Sequence, residues 1–359
     1  MRILYLINYA GKAGTEKYVQ NLVEAFKEKD ECHLCYNIAG ELSENLGKQG
    51  IPLFQLEMKN PFDLTAAKKL ATYCKDHQID VIHAQYPREN YIALLSKMFY
   101  SKVKVVYTCH LTLPTNKAWF YANKLMTPKN HHIISVCKEG RDIMVSNGVD
   151  PKKISVIYNG VIPNDNCIKN TQLKAELGLA YDTKLLTILA RYAPMKGLDF
   201  LVDVISELRQ LTDIPFAVAI AGDGELYDAI ADRIRSAGLG DTIFQLGYRT
   251  DSNTILNGSD IYLNTSRDQE ALSFAILEAM NAGLPVVATN VGGNADLVLG
   301  HDMTCGAITE FGDVEGFANA LRDLLEDGKK RAAYSETARE KIRRVFDLNT
   351  LIEDVYKTY

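Results

Sequence analysis

The chain has 359 residues, 47 % hydrophobic and 24 % charged, with a formal net charge of −5. That length exceeds what one hydrophobic core serves, so two domains are expected, and the composition is that of a folded globular protein rather than a disordered or low-complexity chain. No apolar run approaches the ~20 residues that span a bilayer; seven scattered cysteines point to reduced thiols in a cytoplasmic protein; and an acidic balance without a basic aromatic groove argues against nucleic-acid binding.

Residues 3–7 read as a first buried strand, because Lys12 and Glu16 follow where a secretory cleavage site would otherwise stand. A helical pattern at 16–29 leads to an apolar run at 33–38. Cys32 and Cys35 have no second pair at metal-ligand spacing and read as strand interior, so no metal site is expected. Helical patterns at 64–77 and 92–100 then alternate with short β-branched runs at 81–84, 104–109 and 132–136. Residues 117–129 mix Lys117, Lys124 and Lys129 with Trp119, Phe120 and Tyr121, a pattern shared by interfacial segments and amphipathic packing helices. After a run at 154–158, the polar stretch 161–170 is the expected join. The second half repeats the scheme, with strands at 185–190, 216–221, 242–247, 261–264 and 285–289 and helices at 197–211, 224–237, 274–282 and 316–326. Apolar positions at helical spacing return over 345–359. This alternation implies right-handed βαβ units and parallel sheets. The expected class is α/β, with two Rossmann-like domains at 1–163 and 164–342 and a final helix at 343–359.

Charge divides unevenly along this plan. Residues 1–165 carry 21 Lys and Arg against 16 Asp and Glu, whereas 166–359 carry 19 against 29. The basic half suits an anionic membrane surface, where each cation contributes about 1 kcal/mol; chance differences between two surfaces account for it equally well.

Chemistry gathers where strands end. Gly11, Gly14, Thr15 and Glu16 join the first strand to a helix, with glycine for a tight turn and Thr15 and Glu16 for a helix start. The spacing is not that of a nucleotide-redox fingerprint. His110 closes the strand 104–109. Arg191 and Lys196 follow the strand 185–190, placing two cations at the carboxyl edge where open α/β sheets bind ligands. Glu270 and Glu278 stand with seven residues between them across an apolar interval. With Glu278 in the first turns of a helix, Ser273 and Phe274 lie at its N-terminus, where amides and macrodipole favour an anion such as phosphate. Two cations, a helix end and two acids suggest a sugar nucleotide.

With Ala221-Gly222-Asp223-Gly224, Leu246-Gly247-Tyr248-Arg249 and Val291-Gly292-Gly293 added, the order and spacing resemble the retaining, nucleotide-sugar-dependent glycosyltransferases of the GT-B fold, family 4. The resemblance covers nearly the whole chain. It implies two Rossmann-like domains facing a central cleft, with the last helix crossing back onto the N-terminal domain. The N-terminal domain would select the acceptor. The C-terminal domain would bind a nucleoside-diphosphate sugar, a UDP-sugar by preference, with no metal and no other cofactor. Arg191 and Lys196 would meet the leaving diphosphate, helped by the amides of Ser273 and Phe274. Glu278 would accept hydrogen bonds from the ribose, and Glu270 from the donated sugar. His110 would contact that sugar near the reacting centre, and Gly14 would lie beside the phosphates and acceptor. Gly222 would turn near the phosphates, while Tyr248 and Arg249 would hold the base, largely through backbone groups.

Three positions depart from the family pattern: Ala13 replaces a second glycine, Leu111 stands where an aspartate often follows the histidine, and the glutamate expected after Asn294 is displaced to Asp296. Domain closure would exclude water from the donor. No residue is placed to deprotonate the acceptor, and in this family the leaving phosphate takes that proton on the same face.

The expected activity is metal-independent, retaining transfer of a hexose-type sugar to a glycan or lipid-linked acceptor, in the cytoplasm or at the inner face of the membrane. Alternatives are an epimerase, which the paired glutamates disfavour, a sugar-phosphate synthase on the same plan, and a non-catalytic partner that binds nucleotide sugar.

Overall fold

The computed structural model describes residues 1–110, 114–164 and 169–359. Leu111 and the middle of the expected join lie outside the described residues. The chain forms two compact units, one of Met1–Asn159 with Asn349–Tyr359 and the other of Gly160–Leu348.

The first unit is built on β1 (Arg2–Tyr9), β2 (Glu31–Ile38), β3 (Leu53–Gln55), β4 (Val81–Ala84), β5 (Lys104–Cys109), β6 (His132–Ser135) and β7 (Ile154–Val156). They form one sheet in the order β3-β2-β1-β4-β5-β6-β7, every pair parallel. Ile3 to Ile7 are all fully buried, the continuous apolar run of a strand covered on both faces by crossover helices. The helix Gly14–Phe26 covers the sheet with Tyr18, Val19, Leu22, Val23 and Phe26, one apolar stripe at helical spacing. Leu64–Asp76 starts at Asp63, whose side chain accepts from the Ala66 N–H at 2.9 Å.

The order reverses between β1 and β4. Chain leaving β1 runs towards β2, chain leaving β4 runs towards β5, and the two crossovers diverge. The crevice left at their carboxyl ends is where such sheets take ligands.

The second unit repeats this with β8 (Lys184–Leu189), β9 (Phe216–Ala221), β10 (Ile243–Gly247), β11 (Ile261–Asn264), β12 (Val286–Thr289) and β13 (Gly306–Thr309), all parallel, in the order β10-β9-β8-β11-β12-β13. Its reversal lies between β8 and β11. Leu201, Val204, Ile205 and Leu208 of the helix Leu198–Leu211 pack with Phe317, Leu321 and Leu324 of Val314–Glu326 over the sheet. Each such side chain contributes roughly 1.5–3 kcal/mol by burial.

Several elements were not singled out in sequence. β3 and β13 are short, and the helices Glu41–Lys48, Lys138–Ser146 and Gly328–Arg344 are rich in polar residues. The helix expected at 92–100 instead spans Pro87–Ser96, because Pro87 can open a helix at its first position and none of its N–H bonds is lost there.

The last helix, Leu348–Tyr356, docks on the first unit. Phe26 packs 5.1 Å from Tyr356 and 5.9 Å from Tyr359 between ring centres. The Tyr359 hydroxyl hydrogen-bonds His83 Nδ1 at 2.7 Å, and His83 Nε2 hydrogen-bonds the Thr108 hydroxyl at 2.7 Å. Burial lowers the pKa of His83 to about 3, and that of His110 likewise. Both stay neutral in the folded chain near neutral pH, whereas in the unfolded chain they titrate near 6.5. Below that value the unfolded state binds more protons, so each histidine removes stability as pH falls, by at most about 1.4 kcal/mol per pH unit. Glu16 and Glu89, raised by burial, act in the opposite sense. The melting temperature of His83→Gln should therefore fall less steeply than that of the wild type between about pH 7 and pH 5. Parallel slopes would contradict a buried neutral His83.

Candidate active site

In the second unit the carboxyl ends of β8 and β11 carry the charged groups. Arg191 follows β8, is exposed, and makes no side-chain hydrogen bond or ion pair among the described residues. A short turn over Pro194–Lys196 then ends at Gly197, whose φ of 59° places it in the left-handed region. A Cβ there would lie 2.2 Å from the Thr265 carbonyl oxygen, so only glycine lets the two loops approach this closely. The Thr265 hydroxyl in turn donates to the Lys196 carbonyl at 2.9 Å, and the Arg267 N–H to the Met195 carbonyl at 2.8 Å.

These contacts set Lys196 Nζ 2.6 Å from Glu270 Oε2, the two side chains being 25 % and 11 % exposed. The Ser266 hydroxyl donates to the same oxygen at 2.8 Å. Shielded this far from water, the pair is a strong charge-assisted bond, and removing either member leaves a half-buried charge uncompensated. The loop turns at Gln269, with φ 54°, a left-handed conformation that costs a residue with a side chain roughly 1–2 kcal/mol.

Glu278 lies half-buried within the helix Phe274–Asn281, which Ser273 caps by accepting from the Ile276 N–H at 3.4 Å. Phe274 is the first residue of that helix, so the first-turn amides project from this end. Tyr262 lies close enough to both acids to feel their charge. Its phenol is fully buried on β11 and bonds the Leu189 carbonyl at 3.4 Å. Its acidity is suppressed first by burial and then by the charges of Glu270 and Glu278. Both carboxylates therefore act on one buried group at the β8–β11 reversal.

Gly222 has φ 149°, and a Cβ on it would lie 1.9 Å from the Ala190 carbonyl. Its close approach is to backbone, and it holds the ends of β8 and β9 together. Its N–H donates to the Gly247 carbonyl at 2.8 Å, which places the Tyr248 loop alongside. Tyr248 is 65 % exposed. Arg249 is differently occupied: Nε and Nη2 each donate to Asp251 at 2.7 Å, and Nη1 donates to Glu176 at 2.6 Å. Its guanidinium is committed to two carboxylates.

In the first unit His110 stands just past β5 and is 8 % exposed. Its Nε2 donates to the Gln85 Oε1 at 2.9 Å, because the Gln85 amide nitrogen already donates to the His83 carbonyl. That fixes the tautomer and leaves Nδ1 as an acceptor. Tyr18 packs edge-on against it at 4.8 Å. Gly14 is the first residue of an exposed helix start with ordinary helical backbone, so the tight turn expected there is not made by Gly14.

Sequence reasoning missed Ser266, Tyr262 and the buried pair Asn264 and Asn294. The Asn264 side-chain oxygen accepts from the Ser266 N–H at 3.1 Å and from Asn294 Nδ2 at 3.3 Å, buttressing the loop that carries Glu270. A polar residue closing an otherwise apolar strand beside the reversal was the available signal. Among the described residues no group of three or more His, Cys, Asp or Glu is arranged to hold a metal ion.

Comparison with known proteins divides the chain similarly. Residues 169–341 match the family model described as glycosyl transferases group 1, and residues 13–165 the model described as glycosyltransferase family 4. The Escherichia coli UDP-Gal:alpha-D-GlcNAc-diphosphoundecaprenol alpha-1,3-galactosyltransferase is 27 % identical over 314 residues, covering 83 % of this chain and 79 % of its own. The Campylobacter jejuni N-acetylgalactosamine-N,N'-diacetylbacillosaminyl-diphospho-undecaprenol 4-alpha-N-acetylgalactosaminyltransferase is 26 % identical over 366 residues, 97 % and 96 % of the two chains. The crystal structure of Anabaena Alr3699/HepE in complex with UDP superposes with a TM-score of 0.85 at 21 % identity, covering 100 % of this chain and 99 % of that one.

Proposed function

Because the chain belongs to the group 1, family 4 glycosyltransferases of the GT-B fold, we propose that it is a retaining enzyme moving a hexose-type sugar from a UDP-sugar to a glycan or lipid-linked acceptor. That it is an enzyme of the glycosyltransferase class follows from the family. The finer reading is carried by one observation: the Lys196–Glu270–Ser266 cluster beside the unpaired Arg191 at the β8–β11 reversal.

Breaking the bond from the anomeric carbon to the diphosphate puts negative charge on the leaving group. Arg191, Lys196 and the first-turn amides beyond Ser273 and Phe274 supply positive charge for it, so the reaction as proposed uses no divalent ion. Glu270, which accepts from the Lys196 ammonium and the Ser266 hydroxyl, takes hydroxyls of the donated sugar in the same way. Glu278 takes the ribose hydroxyls. Gly222 and the backbone of Tyr248 and Arg249 shape the base end. His110 enters as a neutral hydrogen-bonding group for the sugar, and Gly14 as part of the loop beside phosphates and acceptor. Attack follows the same face that the diphosphate leaves.

The relatives named above support a UDP-linked donor and an acceptor on a lipid diphosphate; UDP is bound in the Anabaena structure. Transfer from a panel of UDP-, GDP- and ADP-sugars to a synthetic N-acetylglucosaminyl-diphospho-alkyl acceptor tests the reading. Turnover with a UDP-sugar should survive chelator and give a product of unchanged anomeric configuration. Glu278→Ala should lower it by about a hundredfold or more with the melting temperature held, and Lys196→Ala should lower it as far at a reduced melting temperature, because Glu270 loses its partner. Wild-type rates in either variant would remove the assigned site, and donor binding without turnover would favour a non-catalytic partner.

A peripheral membrane role is part of the same proposal. No helix among the described residues is long and apolar enough to cross a membrane. The helix Lys117–Met126 exposes Tyr121 and Leu125, 67 % and 71 %, among Lys117 and Lys124, and Met98 is 71 % exposed beside Lys97 and Lys102. Apolar side chains set among cations suit the cytoplasmic, anionic leaflet. Vesicles containing anionic lipid should recruit the protein in a salt-sensitive way. Equal binding to neutral vesicles would contradict the electrostatic part.

A further inference from the structure

One pocket of the first unit takes no part in the site described above. It holds about 320 Å³, at the small end of the range for ligand sites. Its walls come from β5, from the helices Pro87–Ser96 and Lys117–Met126, and from the end of Lys138–Ser146 with the residues that follow. Cys109, the last residue of β5, lines it, and His110 is next in the chain. The polar groups of the lining are already paired. The Tyr91 hydroxyl donates to Asn123 Oδ1 at 2.8 Å, Asn123 Nδ2 to the Asn147 carbonyl at 2.9 Å, and the Thr115 N–H to Asn147 Oδ1 at 2.9 Å. Thr127 and Asn90 are bonded likewise, to the Asn123 carbonyl and the Asn130 side chain, each at 2.7 Å. What meets an occupant is therefore mainly the apolar surface of Pro61, Pro87, Tyr91, Trp119, Met144 and Val149. Such surface favours an apolar occupant over water, and a sugar or nucleotide would lose hydrogen bonds to water that this lining does not replace.

Charge narrows the choice of occupant. Arg88 is the one charged residue among the described residues of the lining, and its side chain is 29 % exposed. Its Nε and Nη2 both donate to a single oxygen of the buried Glu89, at 3.2 and 3.1 Å, and its Nη1 reaches only the Met58 carbonyl, at 3.4 Å. A guanidinium has five N–H donors, so some remain for an anion. The helix that supplies Trp119 and Asn123 to the pocket turns Tyr121 and Leu125 outward beside Lys117 and Lys124. The apolar lining is thus continuous, through one helix, with the face that suits an anionic leaflet. An apolar void with one available cation matches a hydrocarbon chain on an anionic head.

We propose that this pocket takes the aliphatic chain of a lipid diphosphate, with the chain against Trp119 and Met144 and the diphosphate at Arg88. That this lipid is the acceptor of sugar transfer rests on the glycosyltransferase reading; capture of the chain does not. The pocket holds the lipid end of the acceptor and takes no part in the bond that breaks.

Trp119 is the single tryptophan of the chain, so its fluorescence reports on this pocket. Dodecyl diphosphate brominated at the chain end, kept below its micelle concentration and free of vesicles, should quench that emission saturably, since bromine quenches at contact. Unbrominated dodecyl diphosphate should reverse the quenching and inorganic pyrophosphate should not. Val149→Phe narrows the void and should weaken binding about tenfold or more; if that variant does not fold, the competition on the wild type decides. No quenching, reversal by pyrophosphate, or equal affinity in a folded Val149→Phe would overturn the proposal. Equal affinity for end-brominated dodecanol, or quenching only by vesicles of brominated phosphatidylglycerol, would overturn it in favour of another source of chain. With a UDP-sugar that the wild type turns over, an N-acetylglucosaminyl-diphospho acceptor with a dodecyl chain should have a KM about tenfold or more below that of its methyl counterpart. Equal KM values would deny that the captured lipid is the acceptor. Absence of any turnover would remove the glycosyltransferase reading alone, because the fluorescence result needs no catalysis.

Discussion

A parallel sheet whose strand order reverses beside its first strand leaves two loops diverging from one edge, and everything functional in this chain follows from that constraint. Each crossover helix must return over a face of the sheet, so none can cover the carboxyl ends at the reversal. In the second unit the reversal between β8 and β11 exposes the ends of two buried strands, and there the chain places its cations and acids. The loops can meet because Gly197 has no side chain to strike Thr265. Once they meet, Lys196 and Glu270 are forced into a short ion pair that Ser266 completes. An unpaired Arg191 and a helix N-terminus then add positive charge at an edge that bulk water already reaches.

Much of the fold was legible because fully buried parallel strands are written as apolar runs. Residues 3–7, 104–109 and 216–221 each became a strand within a residue or two of expectation. Short edge strands such as β3 and β13, and polar helices such as Gly328–Arg344, carry too little periodicity to stand out, and tertiary packing decides them. Glu278 and Ser273 fall where the sequence put them, on and at the start of one helix, since an N-capping serine before an apolar run is a local signal.

What the sequence could not display was partnership between distant residues. Arg249 looks like a free cation beside a glycine turn, but Glu176, from a segment 73 residues away, joins the neighbouring Asp251 in binding it. Tyr262 reads as one more strand residue until its phenol is seen under the influence of two carboxylates. Steric demand for glycine arises where neighbours arrive from elsewhere in the chain, such as Gly222 against Ala190. Hydrophobic periodicity encodes which face is buried; it does not encode which side chains meet at an edge.

The account turns on positive charge at the β8–β11 reversal receiving a nucleoside diphosphate. Calorimetric titration of UDP into the whole chain with chelator present, compared with Arg191→Ala, tests this most directly. Arg191 is exposed and makes no side-chain hydrogen bond or ion pair within the described residues that its loss would break. Loss of a charge-assisted bond of about 1.5–3 kcal/mol predicts roughly ten- to hundredfold weaker binding by the variant at an unchanged melting temperature. Equal affinity in the two proteins, or wild-type binding that disappears with chelator, would contradict it.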